Sequence, residues 1–146
     1  MLKEVALKYY TERDMNCAES ISRAANDVYG LGLDENTFHA IGGFGGGCCS
    51  GRLCGACAGG VAAIAGKYNH TRMHKEELAQ SRVGEFSESF RGVLKSDICE
   101  ALKKLYWDDE EKCRKTVEMA ADLLEEKMTI YMAEDVVLEA EGLGAE

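Results

Sequence analysis

The stretch Gly42–Gly60, GGFGGGCCSGRLCGACAGG, gathers nine of the chain's sixteen glycines and four of its seven cysteines. Glycine opens positive φ and lets a backbone approach a neighbour or a ligand closely, while thiolates are soft donors for iron, zinc or one another. Such a segment is expected to form a tight loop carrying a sulfur-based site, around which the other elements must be arranged. From Cys54 to Lys67 the chain continues in small residues, with Val61 and Ile64 as its only bulky aliphatics. That composition predicts a helix that neighbours approach closely, placed centrally and buried.

The flanking sequence reads as helices. Leu2, Val5, Ala6 and Tyr9 give one apolar face to Leu2–Glu12. Asn16 and Glu19 form a capping box for Cys17–Tyr29, whose buried stripe is Ala18, Ile21, Ala25 and Val28 and whose end is marked by Gly30 and Gly32. Asp34 caps a short helix through Ile41. After the small-residue helix, Asn69 or Thr71 is expected to cap His74–Leu94, with Leu78, Val83, Phe86, Phe90 and Val93 inward. Ser96 is expected to cap a short helix with Ile98, Cys99, Leu102 and Leu105 inward. A second capping box, Asp108 with Glu111, is expected to open a long helix to Tyr131 along Cys113, Val117, Ala120, Leu124 and Met128. Ala133–Glu141 reads as a separate helical segment, and residues 142–146 as a fraying tail. No run alternates apolar and polar residues, and the chain has no proline. The expected fold is all-α, a single-domain bundle of about six to eight helices over residues 1–146.

A net charge of -9 argues against nucleic acid or an anionic membrane surface as the main partner. The N-terminus lacks the apolar core of a secretory signal and no run is long enough to span a bilayer, so a cytoplasmic location is expected. In a reducing compartment a dense, odd-numbered thiol set points to metal binding or catalysis rather than to a disulfide framework. The long apolar helix is compatible with a homodimer.

On this map Cys17, Cys54, Cys99 and Cys113 fall at or near helix starts, where partial positive charge favours thiolate. They are thus expected to be anionic, as metal ligands or attacking thiols. The residues Asn16-Cys17-Ala18-Glu19, Gly43-Phe44-Gly45-Gly46-Gly47, Cys54-Gly55-Ala56 with Gly59, Cys99, and Cys113 followed by Ala120-Ala121 resemble the redox-active family named for its C-GCAxxG-C-C cysteine pattern. That family is itself similar to a domain of split-Soret cytochrome c, and the likeness runs from about Leu2 to Met128. It implies a helical redox protein in which Cys17, Cys54, Cys99 and Cys113 are the characteristic cysteines and an iron–sulfur cluster is the implied cofactor. Cys48, Cys49 and Cys57 depart from the pattern and stand as possible additional ligands or redox partners. Gly45, Gly46, Gly55 and Arg52 are expected to support the site, the arginine as a cation beside the thiolates.

The same thiols admit other readings. Cys49-x4-Cys54-x2-Cys57 has the spacing of three ligands in plant-type ferredoxins, for which Cys99 or Cys113 could supply a fourth. Cys54-x2-Cys57-x12-His70-x3-His74 has zinc-finger spacing but lacks the hairpin and large apolar residues of a finger, and His70, His74 and His39 read as solvent-facing. Cys54-Gly55-Ala56-Cys57 is a dithiol motif without the strand and cis-proline of a thioredoxin-like fold. A thiol–disulfide oxidoreductase with Cys54 as the catalytic thiolate, and a zinc-binding or metal-free partner-binding domain, therefore remain as alternatives. There is no Cys-x-x-Cys-His for covalent haem. The glycines match neither nucleotide motif, since Gly46-x4-Gly51 is followed by Arg52-Leu53. A redox role further implies a partner protein that gives or takes electrons, whose identity the residues do not carry.

Overall fold

The computed structural model describes residues Met1–Gly142. The chain is all-α, with α1 (Leu2–Glu12), α2 (Cys17–Tyr29), α3 (Glu35–Ile41), α4 (Gly55–Tyr68), α5 (Glu77–Leu94), α6 (Cys99–Tyr106) and α7 (Arg114–Ala140). Short 3-10 turns cover Gly42–Phe44 and Met73–Lys75. The tail expected to fray lies, beyond Gly142, outside the described residues.

The front of the chain folds as its local sequence dictates. The Asn16 carboxamide accepts from the Glu19 N–H at 3.0 Å while the Glu19 carboxylate accepts from the Asn16 N–H at 3.1 Å, closing the capping box of α2. Gly30 ends α2 in the left-handed region at φ 61°, and Asp34 caps α3 through the Thr37 N–H at 2.9 Å. α4 is the central helix, with every residue from Gly55 to Gly60 buried. It packs against α2, α5 and α7. A Cβ at Gly59 would stand 2.7 Å from the Ala18 carbonyl oxygen, and one at Gly60 would run into the Phe86 ring. The small residues thus set how closely α2 and α5 can lie on α4, and Ile21, Ile64, Phe86, Phe90, Leu124 and Met128 fill the space around them.

Several boundaries differ from expectation. Neither Asn69 nor Thr71 caps α5, which starts at Glu77 after the 3-10 turn at Met73–Lys75. The Glu76 carboxylate instead accepts from the Thr71 hydroxyl at 2.8 Å and closes that loop on itself. On α5 the buried stripe is Ala79, Arg82, Phe86, Phe90 and Leu94, while Val93 is exposed. Ser96 accepts from the Ile98 N–H at 3.0 Å but is not the N-cap of α6, and Ile98 and Leu105 are exposed rather than inward. The Asp108 carboxylate accepts from the N–H groups of Glu110 and Glu111, both at 2.8 Å, within a turn that Lys112 closes at φ 58°. That left-handed residue prevents a helix from starting at Asp108, so α7 begins at Arg114 with Cys113 as its N-cap. α7 then runs unbroken through the segment expected to be a separate helix. Buried Arg82 anchors its far end, pairing with Asp135 at 2.7 Å and lying over the Tyr68 and Tyr131 rings. No helix among the described residues is long and apolar enough to cross a membrane.

Candidate functional site

Four helices begin at one place. Cys17 is the first residue of α2, Cys54 the N-cap of α4, Cys99 the first residue of α6 and Cys113 the N-cap of α7. All four line a single cavity of about 370 Å³. The rigid starts of α2, α4, α6 and α7 therefore carry the cysteines, and the glycine loop supplies the approach.

Backbone hydrogen bonds draw these starts together. The Cys54 N–H donates to the Asp97 carbonyl at 2.7 Å and the Cys99 N–H to the Arg52 carbonyl at 2.6 Å, which splices the segment before α4 onto the segment before α6. The Cys113 N–H donates to the Tyr10 hydroxyl at 2.9 Å and ties α7 to α1. The Asn16 carboxamide donates to the Gly42 carbonyl at 2.9 Å, holding the start of α2 against the loop. At Gly55 a Cβ would stand 2.5 Å from the Cys17 sulfur, and at Gly47, which has φ 66°, one would stand 2.6 Å from the Cys99 Cβ. A side chain at either position would collide with Cys17 or Cys99, so glycine there lets the backbone lie against those two cysteines. Gly46 lines the cavity with Gly55, whereas Gly45 packs against the Asn16 side chain.

Cys17, Cys54 and Cys99 are buried and Cys113 is half-buried. At Cys17, Cys54 and Cys113 burial outweighs the helix-end charge that was expected to make the thiols acidic. Loss of solvent raises the Cys17 thiol above its ordinary range, although the Gly46 N–H pulls the other way. It pushes Cys54 up to about 12, helped by the neighbouring Cys17 and opposed by the N–H groups of Cys57 and Ala56. Cys113 is raised for the same reason and partly relieved by the Lys103 cation. For Cys17, Cys54 and Cys113 the expectation of free thiolates is thus corrected, because helix-end N–H groups stabilise a thiolate less than dehydration destabilises it. A bound cation reverses that balance by replacing the lost solvent with a direct charge.

The remaining cysteines lie elsewhere. Cys48 and Cys49 are exposed in left-handed backbone, at φ 60° and 57°, and do not line the cavity. Cys57 is buried outside the cavity wall, its thiol pushed up to about 12 by burial and next by Asp97. The ferredoxin-type trio Cys49, Cys54 and Cys57 is therefore not gathered into one site. The zinc-finger set is split as well, since Cys54 and Cys57 stand at the start of the 14-residue α4, about 21 Å from its far end, and His70 and His74 lie past that end in solvent. Arg52 is exposed and absent from the cavity wall.

The cations at the cavity are Lys103 and Lys112, which were not singled out from the sequence, nor were Tyr10, Asp14, Trp107 and Thr116, which also line it. The Lys103 and Lys112 ammonium groups lie 5.1 and 5.5 Å from the Trp107 ring centre. A pointer was present in the chain, because its single tryptophan follows the Lys103-Lys104 pair and precedes the turn that leads to Cys113.

Among the described residues no three His, Cys, Asp or Glu side chains close on one point as they would around a single ion. The thiols stand around a space instead. Four cysteines from helix starts and the ammonium-bearing Lys103 and Lys112 line that space together. Searches of curated proteins and of solved structures returned no match. A family model described as "Putative redox-active protein (C_GCAxxG_C_C)" matches residues 15–127, which span the four cysteines of the cavity, and the chain belongs to that redox-active family.

Proposed function

We propose that the protein holds an iron–sulfur cluster on Cys17, Cys54, Cys99 and Cys113 and uses it for electron transfer or redox sensing. The observation that carries this reading is the meeting of those cysteines, each from the start of a different helix, on one cavity. When bound, such a cluster supplies one-electron chemistry at a potential set by its surroundings.

The chain's own residues have definite parts in this reading. The four thiols give up their protons on ligation, so loading releases protons to solvent. The N–H groups at the helix starts and the Lys103 and Lys112 cations offset the negative charge that four thiolates bring. Leu102 and Met15 form apolar wall, and the splice between Arg52–Cys54 and Asp97–Cys99 keeps two ligands in fixed relation. Cys48 and Cys49, exposed and outside the cavity, are surface thiols rather than ligands.

The competing readings lack a carrying observation. An attacking Cys54 thiolate needs access and a lowered pKa, whereas Cys54 is 4% exposed and its thiol is pushed up to about 12. Zinc on the same four thiols would leave the protein colourless and free of sulfide. Anaerobic purification followed by iron and sulfide analysis and a visible spectrum tests the proposal. A brown protein containing both elements is expected, and a colourless, iron-free protein would contradict it.

A further inference from the structure

Two thiols of this chain take no part in the cavity. Free cysteine is among the most buried of residue types, and five of the seven here are buried or half-buried, whereas Cys48 and Cys49 stand in solvent. They are adjacent, and both lie in left-handed backbone at φ 60° and 57°. The other left-handed positions of this loop, Gly46, Gly47 and Gly51, are all glycine. Glycine would take the same conformation at 48 and 49 without strain, while a cysteine there bears it. Neither cysteine belongs to the core. Folding and packing therefore give no reason for the pair, and what is left is the reactivity of two accessible thiols on neighbouring residues. The loop also holds them in place. Gly47 lies against Cys99 and Gly51 against Glu100, so closely that a Cβ at either glycine would collide, and the Arg52 N–H donates to the Gly47 carbonyl at 2.9 Å. Both ends of the segment are thus pinned onto the start of α6, with the two cysteines between them in solvent.

We propose that Cys48 and Cys49 form a surface dithiol–disulfide couple that exchanges with low-molecular-weight disulfides. The thiolate of one cysteine attacks a sulfur of such a disulfide, making a mixed disulfide and expelling one small thiol. The neighbouring cysteine then attacks the protein sulfur of that bond, closing the Cys48–Cys49 disulfide and expelling the second small thiol. In balance the pair loses two electrons and two protons, and the small disulfide takes up both and becomes two thiols. Closure wins over a lasting mixed disulfide because the second thiol sits on the next residue, at high effective concentration. The Cα atoms of neighbouring residues are about 3.8 Å apart, nearer than the span of about 4.4–6.8 Å that a relaxed disulfide takes. The bridge is therefore strained, and strained, exposed disulfides are the labile ones that small thiols open again. The couple is reversible in consequence, a two-electron site on the surface rather than a structural staple. It goes beyond the cluster reading and requires no metal in the cavity.

The sequence provides a clean readout. Trypsin cuts after Arg23 and Arg52 and nowhere between, so Cys48 and Cys49 leave on one peptide, 24–52, that carries no other cysteine. The full chain, purified anaerobically, is equilibrated in buffers running from excess glutathione to excess glutathione disulfide. Free thiols are then trapped with N-ethylmaleimide under denaturing conditions, and the digest is weighed by mass spectrometry. With excess glutathione disulfide, peptide 24–52 is expected to lose two hydrogen atoms and to take up no maleimide. On return to excess glutathione it is expected to regain both hydrogens and to take up two maleimides. In C48S and in C49S the lighter form is expected to be lost, and the remaining cysteine is expected to carry one glutathione instead. A peptide that keeps two free thiols in excess glutathione disulfide, that holds glutathione without closing, or that is joined to another peptide or a second chain would overturn the proposal. Iron is measured on the same samples, so the absence of a cluster and the absence of the disulfide are separate results.

Discussion

At the scale of single residues, exposure separates the cysteines into two groups. Cys48 and Cys49 stand in solvent, whereas Cys54 and Cys57 are buried with thiols pushed up to about 12. Alkylation acts on thiolate, and a thiol with such a pKa presents very little of it near neutrality. In the metal-free native chain, brief alkylation followed by peptide mass spectrometry is expected to label Cys48 and Cys49 first and Cys54 and Cys57 last. Prior labelling of Cys54 would revive the thiol-enzyme reading. The placing of Cys17, Cys54, Cys99 and Cys113 at or near helix starts was legible in the sequence, because a helix start is a local pattern. Its electrostatic consequence was not, since pKa depends on how much solvent the finished fold removes. Lys103, Lys112 and Tyr10 were missed for a related reason, as lysine and tyrosine at helical spacing look like any surface until a distant turn folds beside them.

At the scale of elements, the account rests on the close contact of α2 with α4. Gly59→Ala adds helix propensity but puts a methyl 2.7 Å from the Ala18 carbonyl oxygen, which is backbone and cannot swing aside. It is expected to destabilise the chain by about 1–3 kcal/mol. Gly84→Ala, at a position in α5 where a Cβ meets nothing within 4 Å, is expected to stabilise by up to about 1 kcal/mol. Urea titration of the two variants checks both signs, and equal shifts in one direction would deny that close approach is what α4 glycines provide. Asn16→Ala removes the α2 cap and the bond to the Gly42 carbonyl together, and is expected to lower stability by about 1–2 kcal/mol in the same titration. Caps of this kind made α2 and α3 readable to the residue. α7 was misread at both ends, because Lys112 takes a conformation lysine seldom adopts and because Arg82, from another helix, sustains the segment beyond Tyr131.

At the scale of the whole molecule, four helix starts line one cavity, where burial raises the thiols of Cys17, Cys54 and Cys113. Cys17, Cys54, Cys57 and Cys113 all have raised pKa values, so the folded chain holds protons that the unfolded chain releases once pH exceeds the ordinary thiol value of about 8.5. Stability of the metal-free chain is therefore present in full below that pH and falls as pH climbs toward about 12. The urea midpoint is expected to drop between about pH 7 and about pH 10, and a rising midpoint would show that the thiols are already ionised in the fold. The all-α class was legible from periodicity and the lack of alternating runs, but the convergence of Cys17, Cys54, Cys99 and Cys113 depends on contacts such as Cys99 with Arg52 that no local pattern encodes. The most direct test of the central claim is the iron and sulfide content of anaerobically purified single Cys→Ser variants at all seven positions. Substitution of Cys17, Cys54, Cys99 or Cys113 is expected to empty or alter the cluster, while Cys48→Ser, Cys49→Ser and Cys57→Ser are expected to retain it. Retention in the first group, or loss on replacing Cys48 or Cys49, would contradict it.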